Sequence, residues 1–246
     1  MRIKLLNSYV DNLTMEESLD KVEKIIAEKL PTQHVVINAN KINLMEKDPI
    51  LRKIVNSSPL INADGASILL AGKLLKQNIV QRVTGIDLYL ELLKKCEKSG
   101  YRPYFFGADS ATLDRMLEVI QKNYPDIVIA GARNGFFREE ESNAIVEDIK
   151  KSQADILFVA FPSPKKEYWI HENLNQLNVP FVMGVGGSFD VLAGKTKRAP
   201  KLMQNMGLEW FYRFVQEPGR MAKRYLVGNS IFLLHIVRER IRLENE

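Results

Sequence analysis

Cysteine is almost absent from this chain of 246 residues, and histidine nearly so. A single cysteine, Cys96, excludes an internal disulfide and a multi-cysteine metal site. It suits a reducing cytoplasm, and in "LELLKKCEKSG" it reads as a late, structural helix position. The three histidines, His34, His171 and His235, are scattered, with no zinc-ligand spacing. No apolar run is long enough to span a bilayer. The longest candidate, "YLVGNSIFLLHIV", is short and interrupted by Gly228, Asn229 and Ser230. The start, "MRIKLLNSYVDNLT", lacks the apolar core and cleavage site of a signal peptide. There is no Asp-x-Asp pair, no Walker A loop and no intact G-x-G-x-x-G fingerprint. Metal is therefore not expected, nor is any other cofactor.

What is present is an ordinary apolar fraction and a length that fits one large domain, or one domain with an appendage. The formal charge is +5, unevenly spread. From Lys195 to Arg242 eleven basic residues face three acidic ones, a local net of +8. Such an end predicts an anionic partner: phosphate, a lipid surface or nucleic acid. Nucleic acid is the weakest of these, since no recognition motif appears.

Strand-like and helix-like segments alternate. "HVVINAN", "PLINAD", "RPYFFGA", "DIVIAGARNG", "ADILFVAF" and "PFVMGVGG" read as buried strands. Helix patterns separate them, the first opened by a capping box from Thr14 to Glu17. This alternation predicts an α/β fold: a Rossmann-like, mostly parallel sheet with helices on both faces. From about Ala199 onward only amphipathic helix remains, broken at Pro218 and Gly219. The expected division is residues 1–195 as catalytic core and 196–246 as a basic helical appendage.

In parallel sheets ligands bind beyond the carboxyl ends of the strands. The residues expected there are Asn38, Asn40, Asp64, Gly107, Asp109, Arg133, Asn134, Gly135, Ser163, Lys166, Gly184, Gly186, Gly187 and Asp190. Asp64, in "LINADGASILL", admits two readings. It caps the following helix, which would lower its pKa, or it meets a ligand beside the permissive Gly65. "MGVGGSFDVLAGKTKRAP" clusters glycines whose N–H groups suit a diphosphate, with Ser188, Lys197 and Arg198 close behind; the bland reading is a tight turn with Phe189 in the core. "PSPKKEYWI" sets Lys165, Lys166 and Glu167 after Pro164 at a helix start. Lysine opposes the helix dipole there, a mild sign of function. "WFYRFVQEPGRMAKRYLVGNSIFLL" mixes aromatics with Arg213, Arg220, Lys223 and Arg224. It reads either as a helix packed on the domain or as one lying on an anionic membrane.

"NADGASILL", "QRVTGIDL", "ARNGFF", "FPSPKKEYWI" and "GVGGSFDVLAGKTKRAPKLMQNMGLEWFYRFVQEPGR" together resemble the WecG/TagA/CpsF glycosyltransferases, glycosyltransferase family 26. The resemblance runs from "VDNLTMEESL" to about Arg224. It implies a Rossmann-like core whose helical appendage reaches the membrane and completes the active site. It implies inverting, metal-independent transfer of a sugar from a UDP-sugar to a polyprenyl-diphosphate-linked acceptor at the cytoplasmic membrane face. In teichoic-acid synthesis the donor is UDP-N-acetylmannosamine and the acceptor carries N-acetylglucosamine. By position it implies Asp64 as general base, with Asn38 and Arg82 beside it. Arg213, Arg220 and Arg224 would serve as appendage arginines, Lys223 rivalling the last. It also implies exchange between monomer and oligomer. Two positions depart from the family pattern: Val36 replaces a threonine, and Lys166 replaces a glutamine. A different donor sugar, a nicotinamide-dependent oxidoreductase and a non-catalytic membrane scaffold are the alternatives.

Overall fold

The computed structural model describes residues 1–245, except for the side chains of Asn205, Arg220, Lys223 and Arg224. The expected roles of Arg220, Lys223 and Arg224 therefore fall outside the described side chains. The chain starts with a hairpin not expected from the sequence. β1 (Arg2–Leu5) pairs antiparallel with β2 (Ser8–Asp11). Asp11 ties it down: its carboxylate accepts from Arg2 Nη2 at 2.8 Å and from Ile61 N at 2.8 Å.

The main sheet has six strands: β3 (Thr32–Ile37), β4 (Leu60–Ala63), β5 (Pro103–Gly107), β6 (Gly131–Arg133), β7 (Ile156–Ala160) and β8 (Phe181–Gly184). Their order is β4-β3-β8-β7-β5-β6, and every pairing is parallel. The α/β, Rossmann-like expectation holds. β3, β4 and β5 are buried along their whole length, as a sheet covered on both faces requires. The segment "DIVIAGARNG" is less strand than expected, since only Gly131–Arg133 pairs with β5. Ile127 turns into the core instead. Gly131 is needed because a Cβ there would stand 2.5 Å from the Tyr104 ring.

One face of the sheet packs Phe105, Phe158 and Met183 against α1 (Met15–Glu28), α5 (Gly85–Ser99), α6 (Ser110–Asn123) and the short α9 (Ser188–Leu192). The capping box forms as expected: Thr14 Oγ1 accepts from Glu17 N at 3.2 Å, and Thr14 N donates to Glu17 at 2.8 Å. Cys96 is buried here, and burial pushes its thiol up to about 12, in keeping with a structural residue. The other face carries two clusters. Phe106, Val159 and Val182 pack on α7 (Ser142–Lys151) and α8 (Lys165–Leu177). Val35, Ile37 and Ile61 pack on the hairpin, α2 (Ala39–Lys47), α3 (Pro49–Ser57) and α4 (Ala66–Leu74).

Residues 196–245 are mostly helical, and their last helix folds back onto this second cluster. They form α10 (Lys201–Asn205), α11 (Glu209–Gln216), α12 (Pro218–Ala222), a π-helical stretch Lys223–Val227 and α13 (Gly228–Glu244). Pro218 begins a helix, and Gly228 continues one. Phe232 and Ile236 of α13 are each 2% exposed and share a cluster with Leu5 and Val10. Asn43 Nδ2 donates to Gly228 O at 2.7 Å, and Arg240 Nη1 to Leu74 O at 2.7 Å. Among the described residues no helix is long and apolar enough to cross a membrane.

Candidate active site

β3 and β4 end side by side, with Ile37 opposite Ala63, and the next residues are Asn38 and Asp64. Asp64 N donates to Ile37 O at 2.8 Å, which fixes the turn. Asn38 uses its amide twice. Its Oδ1 caps α2 by accepting from Lys41 N at 3.1 Å, and its Nδ2 donates to Asp64 Oδ2 at 3.4 Å. α4 starts after Gly65, whose φ of +100° is open to glycine but strained for other residues; no side chain caps this helix. The capping reading of Asp64 therefore fails. Its carboxylate is not engaged at the helix start, and its charge is not stabilised there.

The electrostatics follow. Burial raises the Asp64 pKa above the ordinary 3.8, and the nearby Glu209 adds to that. Asn38, Arg213 and Lys166 pull the other way without cancelling it. The residue is still half-buried, so a ligand can reach it. Glu209 and Arg213 both belong to α11, so the C-terminal segment overlies Asp64. Gly207 makes the approach close. A Cβ there would stand 2.8 Å from that of Ala66, and its φ is +73°. Arg82 joins the two parts, donating to Gln204 O at 3.4 Å. Arg198 reaches Asp87 at 2.5 Å and Glu209 at 3.4 Å, linking the start of α5 to α11.

Behind Asn38 lies a buried ion pair. Lys41 Nζ donates to Glu167 Oε1, the two side chains being 3% and 2% exposed. Ser163 Oγ donates to the same oxygen at 3.1 Å, and Lys166 Nζ stands 3.8 Å from it. Pro164 sits at the N-terminus of α8 without a side-chain cap. Lys166 crosses the end of β8: its Cδ lies 2.8 Å from where a Cβ on Gly184 would be, and its Nζ 3.5 Å from one on Gly186. These glycines leave room for the lysine. Lys165 turns away, over the rings of Phe137 and Phe161 at 5.2 and 5.1 Å.

The remaining expected residues run from the middle of the rim, beyond β8, to its other end at β5. β5 is four strands from β4, about 19 Å at the usual interstrand spacing. Gly107 needs to be glycine, because a Cβ would meet Ala160 N and O at 2.8 Å. Gly135 folds over it, donating to Ala108 O at 2.8 Å, and Asn134 closes a turn by accepting from Phe136 N at 3.0 Å. Several residues expected at the ligand rim have protein partners. Asp190 and Asp109 both face Lys195, at 3.6 and 2.9 Å. The Lys195 ammonium holds Asp109 well below the carboxylate range, helped by Thr112. Ser188 is buried and donates to Val185 O at 2.8 Å. Lys197 has an exposed side chain and a backbone clasped by Gln216. Gly187 precedes α9, and Gly186 has φ of +54°.

Lys41, Glu209 and Asp87 were not expected at the site. Lys41 carried a signal, being a lysine in the first turn of a helix, the same unfavourable placement that drew attention to Lys166. Among the described residues no group of three or more His, Cys, Asp or Glu is arranged to hold a metal ion.

The chain matches the family model described as the glycosyl transferase WecG/TagA/CpsF family over residues 3–246. It belongs to that family, and is a glycosyltransferase of cell-surface polysaccharide synthesis that works with a sugar donor and a lipid-linked acceptor. The oxidoreductase and scaffold alternatives fall with that membership.

Proposed function

We propose that the protein transfers N-acetylmannosamine from its UDP-sugar to a polyprenyl-diphosphate-linked N-acetylglucosamine, with inversion and without a metal, using Asp64 as general base. The observation that carries this reading is the Asp64 carboxylate, uncapped, half-buried and raised in pKa at the end of β4. A base that is harder to ionise than free aspartate accepts a proton more readily once ionised.

In this reading the acceptor hydroxyl oxygen attacks the donor's anomeric carbon as the bond from that carbon to the UDP oxygen breaks. The hydroxyl proton passes to Asp64. Asn38, anchored by its cap on α2, holds the carboxylate's orientation. Negative charge gathers on the departing UDP. Arg213 on α11 and backbone N–H groups around Gly186 and Gly187 are the groups assigned to meet it, with Arg82, Arg220, Lys223 and Arg224 assigned to the acceptor's diphosphate. The rim from Gly107 to Asp64 suits a donor laid across the strand ends, with Lys166 midway at β8. Peripheral docking on the cytoplasmic membrane face is supported by apolar side chains left exposed on α11 to α13, among them Phe211, Val215, Leu226 and Leu234.

The test is product formation by mass spectrometry, with a short-chain lipid-linked N-acetylglucosamine and a panel of UDP-sugars without divalent metal. Asp64→Asn should slow turnover roughly 100- to 10,000-fold. Near-normal turnover by that variant removes Asp64 from the mechanism. Reaction with some other UDP-sugar alone changes the donor and leaves the reaction class standing.

A further inference from the structure

A second concavity lies away from Asp64, where the N-terminal hairpin meets α13. It is a groove of about 460 Å³ whose lining draws on β1, α2, α3 and α13. Lys4 of the hairpin, Arg52 of α3 and Arg238 of α13 all border it. No ion pair joins any of these three to a carboxylate among the described residues, although the protein pairs many of its other surface cations. Two carboxylates also line it, Glu239 paired with Arg242 and Glu46 accepting from Asn7, so the unpaired cations from three separate elements still leave a positive concavity, and its complement is an anion.

The position of the groove on α13 says where that anion comes from. At 3.6 residues per turn, the sides of this helix follow in a fixed order. Leu233, Val237, Ile241 and Leu234 form one arc, all exposed. Next around the helix come Arg238 and Arg242, then His235 and Glu239 of the groove, and last the buried Phe232 and Ile236. The cations thus separate an unpartnered apolar arc from the groove. A helix resting on a bilayer by that arc brings its flanking cations to headgroup depth.

We propose that this groove is a phospholipid headgroup site, which takes the phosphate of one anionic lipid while the apolar arc of α13 lies among the acyl chains. The proposal rests on the membrane-docking reading above and adds a specific site to it. The site involves the hairpin as well as the C-terminal segment, so membrane contact draws on both ends of the described chain. Asn7 holds that geometry, since its Nδ2 donates to Ile42 O at 3.1 Å and to Glu46 at 2.9 Å, fixing the hairpin turn against α2.

The experiment is co-sedimentation of the full chain with vesicles of phosphatidylglycerol in phosphatidylcholine. Lys4→Gln/Arg52→Gln is compared with a charge-matched control, Lys98→Gln/Lys122→Gln. The control residues are exposed and lie on α5 and α6, across the sheet from α13. The groove variant should bind roughly 10- to 30-fold more weakly at an unchanged thermal midpoint, as two headgroup-depth cations are lost. The control should stay within about twofold of the parent. Equal loss in both variants, or none in the groove variant, overturns the headgroup site while leaving membrane docking in place. No sedimentation of the parent overturns both readings. Occupation of the groove by inorganic phosphate alone, read from the His235 ring resonances and unchanged by vesicles, would mark a soluble-anion site and overturn the lipid assignment. A change in mass on the groove substitution, with vesicle binding intact, would assign the face to a second copy of the chain and overturn it too.

Discussion

Replacing Lys41 by methionine removes one half of the most deeply buried ion pair among the described residues. Glu167 would remain in place, 2% exposed, with Ser163 and the more distant Lys166 as its remaining polar neighbours there. Its second oxygen, Oε2, is buried with no hydrogen-bond partner among the described residues, so the carboxylate has no alternative to turn to. Breaking a buried pair from one side costs about 3–5 kcal/mol. Lys166 at 3.8 Å retains part of the compensation, which places the loss near the lower end, about 3 kcal/mol. In a chain of this size that lowers the thermal midpoint by roughly 6–12 °C. Urea unfolding at neutral pH measures it directly, the slope staying constant while the midpoint falls. The pH dependence gives a second check. Burial pushes Glu167 up, but Lys41 and Lys166 together hold it below the ordinary 4.5. In the parent that contribution is present above pH 4.5 and is lost as pH falls through the folded pKa. In the variant the carboxylate protonates more easily, so the deficit should shrink as the pH falls towards 4.5. Lys41→Met/Glu167→Met should recover most of the loss, because an apolar pair has no charge to desolvate. A single variant within about 1 kcal/mol of the parent, or a double variant no better than the single, refutes the reasoning.

Three further outcomes follow from the geometry. Asp64→Asn should be more stable than the parent at neutral pH, since burial disfavours the ionised carboxylate. The gain should vanish below the ordinary aspartate pKa of 3.8, and equal stability at neutral pH would deny that Asp64 is desolvated. His34 is buried and its pKa is pushed down to about 4, chiefly by burial, so it is neutral in the fold and takes up its proton on unfolding below pH 6.5. Stability should drop by about 3 kcal/mol as pH falls from 6.5 to 4, and His34→Gln should flatten that limb of the urea-midpoint profile; an unchanged limb assigns the loss to other groups. Gly184→Ala should displace Lys166, whose Cδ occupies the new methyl's place, lowering turnover roughly 10- to 100-fold. Lys166 is buried and helps to compensate Glu167, so the thermal midpoint should fall as well, and full activity would mean Lys166 does not serve the reaction from that position.

Five of the six parallel strands were legible because each holds a short apolar run bounded by turn residues. The hairpin was not. Its strands are four residues each, and its turn, at Leu6 and Asn7, lacks the glycine that normally announces one; Leu6 takes φ of +54° instead. β6 was overread because its β-branched run precedes the pairing: Ile127 turns into the core, Val128 is exposed, and the chain joins β5 only from Gly131. At the site, the rim residues could be named from strand ends, but their partners could not. Lys41 and Glu167 are 126 residues apart, and Arg198 and Asp87 are 111 apart. No local pattern shows that Lys195 and Arg198 meet carboxylates before they meet any phosphate. The Asp64 question turned on one local fact, that Gly65 and not Asp64 precedes the first turn of α4.

The cluster that joins Leu5 and Val10 to Phe232 and Ile236 bears on the order in which the protein is made. Chain synthesis is vectorial, and the hairpin emerges long before α13. The half of the sheet that carries Asn38 and Asp64 keeps an open apolar flank until the last helix arrives. The opposite half, with α5, α6 and β5, needs nothing from that helix to close its own core. Folding should therefore finish on the Asp64 side last, after a closure spanning most of the chain, whose entropic cost grows only slowly with length but whose rate suffers. The nascent chain would then complete the sheet edge that carries Asn38 and Asp64 and dock its last helix in the same late step.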